Sequence, residues 1–96
     1  MQTAVPTIRV TIPHPVRQFC GGQAELLLMA GTVRSLLAQL AHEHSQAHTQ
    51  LCDERGDPRP HINVFVNSDH ICARAGLDTP LCEGDVVSIL PAVSGG

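Results

Sequence analysis

The chain contains no lysine, no tryptophan and no tyrosine, and its phenylalanines are only Phe19 and Phe65. Without lysine it offers no ε-amine to a ubiquitin-like conjugation system, so the N-terminal amine is the one amine left. All six cationic residues are arginines, scattered without a basic run, and the net charge is −3. That balance argues against nucleic acid as a partner. No apolar stretch approaches the roughly 20 residues that cross a bilayer, and no basic-then-apolar segment opens the sequence. A cytoplasmic protein with no membrane partner is expected. The four cysteines, at positions 20, 52, 72 and 82, include no C-x-x-C pair. They are expected to be reduced and mostly structural, with no zinc site. His42, His44 and His48 read as a solvated helix end rather than a metal site, because Ser45-Gln46-Ala47 suggest that the helix stops there.

What remains is an ordinary globular composition, 43% hydrophobic and 16% charged, in 96 residues. This is one domain near the lower limit for a self-sufficient core. Thr7-Ile8-Arg9-Val10-Thr11-Ile12 alternates strictly, which puts Ile8, Val10 and Ile12 on one face of a first strand. Pro13, His14 and Pro15 end it. Gly21-Gly22 supplies a turn, and Glu25 to Met29 reads as a second strand in an antiparallel hairpin with the first. Thr32 is placed to cap a helix whose Val33, Leu36, Leu37 and Leu40 form one apolar stripe, with Arg34, Gln39 and Glu43 on the wet face. Residues 45–60 read as polar and turn-rich, with Leu51 pinning an irregular turn and Gly56, Pro58 and Pro60 marking a loop. Ile62 to Asn67 alternates again, with Ile62, Val64 and Val66 inward and Phe65 outward. Asn67-Ser68-Asp69 is turn chemistry, followed by a short strand near His70-Ile71-Cys72. Leu77 to Leu81 reads as a brief turn. Glu83-Gly84-Asp85 then leads into a last strand, Val86 to Leu90, with Val87 and Ile89 inward.

Hairpin, helix, strand, short strand, strand is an α+β pattern in which one main helix covers one face of a mixed sheet. The last strand, one of the most apolar, belongs beside the first and parallel to it. This is the β-grasp arrangement of ubiquitin. Residues 1–90 form the domain and 91–96 a flexible tail, because Pro91 removes a ladder donor and only small residues follow it. Gly95 and Gly96 lack a Cβ, so that tail can lie extended in a narrow channel. Its one reactive group is the α-carboxylate of Gly96.

Gly84-Asp85 leading into Val87, and then Ile89-Leu90-Pro91-Ala92-Val93-Ser94-Gly95-Gly96, resembles the C-terminal signature of bacterial ubiquitin-like sulfur carriers, the ThiS- and MoaD-like family. Gly21-Gly22-Gln23, Val66-Asn67 and Asp69 resemble the branch that feeds an alternative cysteine synthase, so the similarity covers nearly the whole chain. The resemblance implies that an E1-like adenylyltransferase activates Gly96 with ATP. A sulfurtransferase or other donor then makes a thiocarboxylate, and a sulfur-accepting synthase consumes it. The resemblance also implies a carrier rather than an enzyme, with no cofactor or metal bound to the chain itself, and in keeping with that the sequence has no P-loop, no G-x-G-x-x-G and no assignable Cys-His-Asp/Asn set. Pro91, Ala92, Val93, Ser94 and Gly95 would thread the tail into partner active sites. Acceptors could lie in cysteine, molybdopterin, thiazole or secondary-metabolite synthesis, with the first and last favoured. The alternatives are a protein modifier conjugated through Gly96, the small subunit of molybdopterin synthase, or a plain interaction module.

Strand parity places Leu27, Phe65 and Leu90 on the sheet face away from the helix, alongside Arg9. These four are expected to form one contiguous docking patch with Arg9 at its rim, on a chain that is monomeric when free.

Overall fold

Alternation in the first apolar run becomes strand β1, Thr7–Thr11, in the computed structural model, which describes residues 5–91. Ile8, Val10 and Ile12 are wholly buried while Arg9 between them is exposed. Each such burial stabilises by ~1.5–3 kcal/mol. Strand β2, Glu25–Met29, runs antiparallel to β1 with Leu27 opposite Arg9. Helix α1, Val33–Glu43, starts from a reciprocal cap: the Ser35 N–H donates to the Thr32 hydroxyl oxygen at 3.1 Å, and the Thr32 N–H donates to the Ser35 hydroxyl oxygen at 3.1 Å. Two otherwise orphaned donors are satisfied in this way. Its stripe of Val33, Leu36, Leu37 and Leu40 is buried in the core.

Strand β3 is Ile62–Val66, β4 is the two-residue Asp69–His70, and β5 is Val86–Pro91. They complete one sheet of order β2-β1-β5-β3-β4. Strand β5 is parallel to β1 and antiparallel to β3, so the last strand occupies the centre. The fold is β-grasp, α+β, as the pattern implied.

Three segments differ from the sequence reading. The β1–β2 connection is not a bare turn but carries a 3-10 helix, His14–Cys20, which buries Val16 and Cys20 and closes on Gly21 at φ 66°. Residues 45–51 form a second helix, α2 (Ser45–Leu51), which His44 separates from α1. Ala47 and Leu51, four apart, are buried in the core and hold this polar segment down. The strand near residue 70 stops at His70, where the chain enters a 3-10 turn, Ile71–Ala73, capped by Nδ1 of His70 accepting the Cys72 N–H at 3.0 Å.

Candidate functional site

The site is built on β5, whose far end carries the chain towards Gly96. Its start is clamped. Gly84 at φ 91° makes the turn that Asp85 closes, with Oδ2 of Asp85 accepting the Cys82 N–H at 2.8 Å. The other carboxylate oxygen accepts from Nδ2 of Asn67 at 3.1 Å. Asn67 in turn takes the Val86 N–H on its Oδ1 at 3.1 Å and donates its own N–H to the Val86 carbonyl at 2.7 Å. Asn67 is the one non-glycine residue among those described with positive φ, 56°, the conformation a two-residue hairpin turn asks of its first residue. The Gly84-Asp85 and Val66-Asn67 matches in the sequence are therefore one structural device, which fixes where β5 begins.

The far end projects. Strand β5 pairs with β1 only from Val86 to Ser88, but with β3 up to Pro91, which lies opposite Ile62. Leu90 and Pro91 are exposed. The expectation that Pro91 ends the strand is corrected here, since the strand includes it. The bond from Asn67 to Val86 sets the alternation of an antiparallel pair, and by that count Pro91 sits at a non-hydrogen-bonded position. Its nitrogen faces away from β3, past the end of β1, where a missing N–H costs nothing. Ala92, Val93, Ser94, Gly95 and Gly96, the proposed tail and its reactive terminus, lie outside the described residues.

On the sheet face away from α1, Phe65 stands opposite Ser88 of β5, and Leu90 lies two residues further along that strand, opposite Asn63. The two are diagonal neighbours at the root of the tail. Phe65 is half-buried, because the His70 ring packs edge-on against it with centroids 5.1 Å apart. That ring is held from both sides: Nδ1 accepts the Cys72 N–H, which leaves Nε2 as the donor to Oδ1 of Asn63 at 3.0 Å. Arg9 and Leu27 do not join this pair at a common rim. Arg9 is on β1, with its Nε 3.8 Å from a Glu25 carboxylate oxygen, and Leu27 is on β2, beyond it. The single patch read from parity is thus two patches, Phe65 with Leu90 and Leu27 with Met29, separated by Arg9, Thr11 and Ser88. Parity assigns a face, and lateral distance follows strand order.

Among the described residues no three His, Cys, Asp or Glu side chains gather as a metal site would require. Cys20 and Cys52 are buried and Cys72 and Cys82 exposed. Burial pushes the Cys52 thiol up to about 11, with the neighbouring Asp53 adding to the push. Burial also raises the Cys20 thiol and lowers the His48 imidazole. These are the shifts of groups packed for structure, the opposite of a thiolate poised to react. No helix is long and apolar enough to cross a membrane among the described residues.

The ThiS family pattern matches residues 10–96. The sulfur carrier protein CysO of Mycobacterium tuberculosis (strain ATCC 25618 / H37Rv) is 32% identical over 91 residues, which cover 93% of this chain and 98% of that protein. A chain in the crystal structure of the Amycolatopsis orientalis BexX/CysO complex superposes with a TM-score of 0.83 at 30% identity, over 93% of this chain and 99% of its own length. Small archaeal modifier protein 3 of Haloferax volcanii is 35% identical over 65 residues, 68% of this chain and 70% of that protein.

Proposed function

This chain belongs to the ThiS family and is of the sulfur-carrier, CysO type, and on that premise we propose that Gly96 is the atom-transfer end of the molecule. In this reading an E1-like adenylyltransferase lets the Gly96 carboxylate attack the α-phosphate of ATP and expel pyrophosphate. A carboxylate is a poor electrophile, and the acyl adenylate supplies the leaving group it lacks. A sulfide equivalent, delivered by a sulfurtransferase or another donor, attacks the acyl carbon. The new C–S bond forms as AMP leaves, giving a thiocarboxylate. A synthase then takes that sulfur into cysteine or a sulfur-containing metabolite, and water adds at the Gly96 acyl carbon as its C–S bond breaks, regenerating the carboxylate.

The observation that carries this reading is the central strand that runs past its neighbour. Strand β5, clamped at Asp85 and Asn67, continues beyond the end of β1 to Pro91. From there Ala-Val-Ser-Gly-Gly remain to reach into a partner. Five extended residues span at most ~17 Å, a length suited to threading an active-site channel from a docked domain. Docking is assigned in this proposal to Phe65 and Leu90, with His70 packed beside Phe65. The Amycolatopsis relative's presence in a complex with BexX supports a carrier that works while held by another protein.

Incubation with the cognate E1-like enzyme, ATP and a sulfur donor should shift the intact mass by one sulfur-for-oxygen exchange located at Gly96. A chain lacking Gly95 and Gly96 should fold as before and accept no AMP. Retention of AMP at the C-terminus of that truncated chain would remove the proposal. A second reading, a modifier joined to other proteins through Gly96, is favoured by the similarity to the Haloferax modifier protein. It predicts a ladder of conjugates in lysate, with no side-chain-linked polymers, because the chain has no lysine.

A further inference from the structure

The two edges of the sheet are finished differently. At one edge β4 is two residues long and the chain turns at once into the 3-10 turn at Ile71–Ala73, so little strand is left open there. At the other edge β2 is five residues long and pairs with β1 residue for residue from Glu25 to Met29, with no bulge. The Ile12 N–H donates to the Ala24 carbonyl at 2.8 Å and the Ala30 N–H to the Pro6 carbonyl at 3.0 Å. Counting from those bonds, Leu26 and Leu28 exchange hydrogen bonds with β1, while Glu25, Leu27 and Met29 aim their N–H and C=O groups at the open side. Of the devices that normally blunt such an edge, charged side chains, proline, a bulge or an inward charge, β2 has only Glu25, at its first position. Instead Leu27 is 68% exposed and Met29 55% exposed on the face beside that edge, with Val5 47% exposed nearby. On the helix side the residues that share a shallow hollow with Met29 are Ser35, Ala38 and Gln39.

We propose that β2 is a self-association edge, where two copies of this chain join β2 to β2 in antiparallel register centred on Leu27. The occupant that fits is a second copy, because a two-fold axis through Leu27 matches the edge to itself. Leu27 then faces Leu27 of the second copy, and Glu25 faces the other Met29 at each end. These three hydrogen-bonded pairs exchange about six bonds. The two Glu25 carboxylates end up four residues apart along the strand, ~14 Å, so no like charges meet. Each also stays beside its own Arg9. A five-residue edge falls well short of the ~800 Å² per partner of a standard interface. The dimer is therefore weak, with a dissociation constant on the order of 10 µM to 1 mM. It replaces the expectation of a free monomer with a concentration-dependent pair. It also leaves the tails clear. The two β5 strands are five strand spacings apart, ~24 Å, and antiparallel, so the tails leave from opposite ends of one continuous sheet.

Sedimentation velocity between ~10 µM and 1 mM, with a thiol reductant present to exclude disulfide dimers through Cys72 or Cys82, tests this directly. The wild-type mass should climb towards two chains, and amide exchange at Leu27 and Met29 should slow as concentration rises. Leu27→Pro removes an outward N–H that β1 does not use, and Leu27→Lys places a charge on each side of the axis while keeping every backbone donor. Both should sediment as single chains throughout. Should Leu27→Pro fail to fold, Leu27→Lys decides alone. A wild-type protein of single-chain mass across the whole range, or a Leu27→Lys variant that associates as the wild type does, overturns the proposal.

Discussion

Asn67 offers the most discriminating perturbation in the molecule, because its two contributions separate. Its side chain links the β3–β4 turn to β5 through Nδ2 to Asp85 and Oδ1 from the Val86 N–H, both 3.1 Å. Its backbone holds φ at 56°. Replacing it with glycine keeps that conformation available and deletes both bonds. At ~0.5–1.5 kcal/mol each, and with the group near solvent, the loss should be ~1–2 kcal/mol, plus ~0.5 kcal/mol for the more flexible unfolded chain. Replacing it with alanine deletes the same bonds and adds the left-handed penalty of ~1–2 kcal/mol for a residue with a Cβ. The expected order in urea unfolding is wild type, then Asn67→Gly, then Asn67→Ala, with ~0.5–1.5 kcal/mol between the two variants. A cycle with Asp85→Ala should show ~0.5–1 kcal/mol of coupling to Asn67→Gly, because only one of the two bonds is shared. A domain of this size has ~5–14 kcal/mol to lose, so all variants stay folded at room temperature. Activation at Gly96 should then be unchanged, the clamp being at the opposite end of β5. An alanine variant as stable as the glycine variant would refute the backbone argument. A folded Asn67→Gly that is no longer adenylated would refute the assignment of the clamp to structure.

Phe65→Ala should weaken binding to the E1-like enzyme by ~1–3 kcal/mol, about ten- to a hundredfold, and lower folding stability by only ~1–2 kcal/mol, because the ring is half-buried against His70. Binding by titration calorimetry at unchanged affinity would put docking elsewhere. The Cys52 thiol, pushed up to about 11 from 9.0, makes folding stability fall as pH rises. Its contribution is complete below the unfolded value of 9.0 and is lost through the folded value of about 11, a total of ~2–3 kcal/mol. Cys52→Ala should flatten that alkaline slope in thermal melts, and an unaltered slope would deny the thiol its role. With a thiol-specific reagent under native conditions Cys72 and Cys82 should react at once, while Cys20 and Cys52 wait for unfolding. Prompt reaction of all four would mean that the core opens locally.

The sheet was legible because its signal is local. Alternation at Ile8, Val10 and Ile12, and at Val64 and Val66, chooses a face by parity alone, and the buried side chains follow it. Helix α1 carried its cap and stripe in plain order. Helix α2 did not: Ser45-Gln46-Ala47-His48-Thr49-Gln50-Leu51 has only the Ala47–Leu51 pair as an apolar face. Two residues four apart, with no side-chain cap, do not outweigh a polar composition, and tertiary burial makes the helix. The same spacing, Val16 to Cys20, hid the 3-10 helix behind two prolines that read as terminators. The docking residues are divided between two places on the sheet for a different reason. Parity says that Leu27, Arg9, Phe65 and Leu90 share a face, but a face four strands wide is ~14 Å across. Which residues on it touch is a matter of strand order, and order is set by which strand enters the centre. Once β5 lies between β1 and β3, Phe65 and Leu90 become neighbours at the tail root and Leu27 is carried out to the open edge. The one long-range pairing that makes β5 the central strand therefore also decides which apolar residues stand near Gly96 and which are free to meet something else.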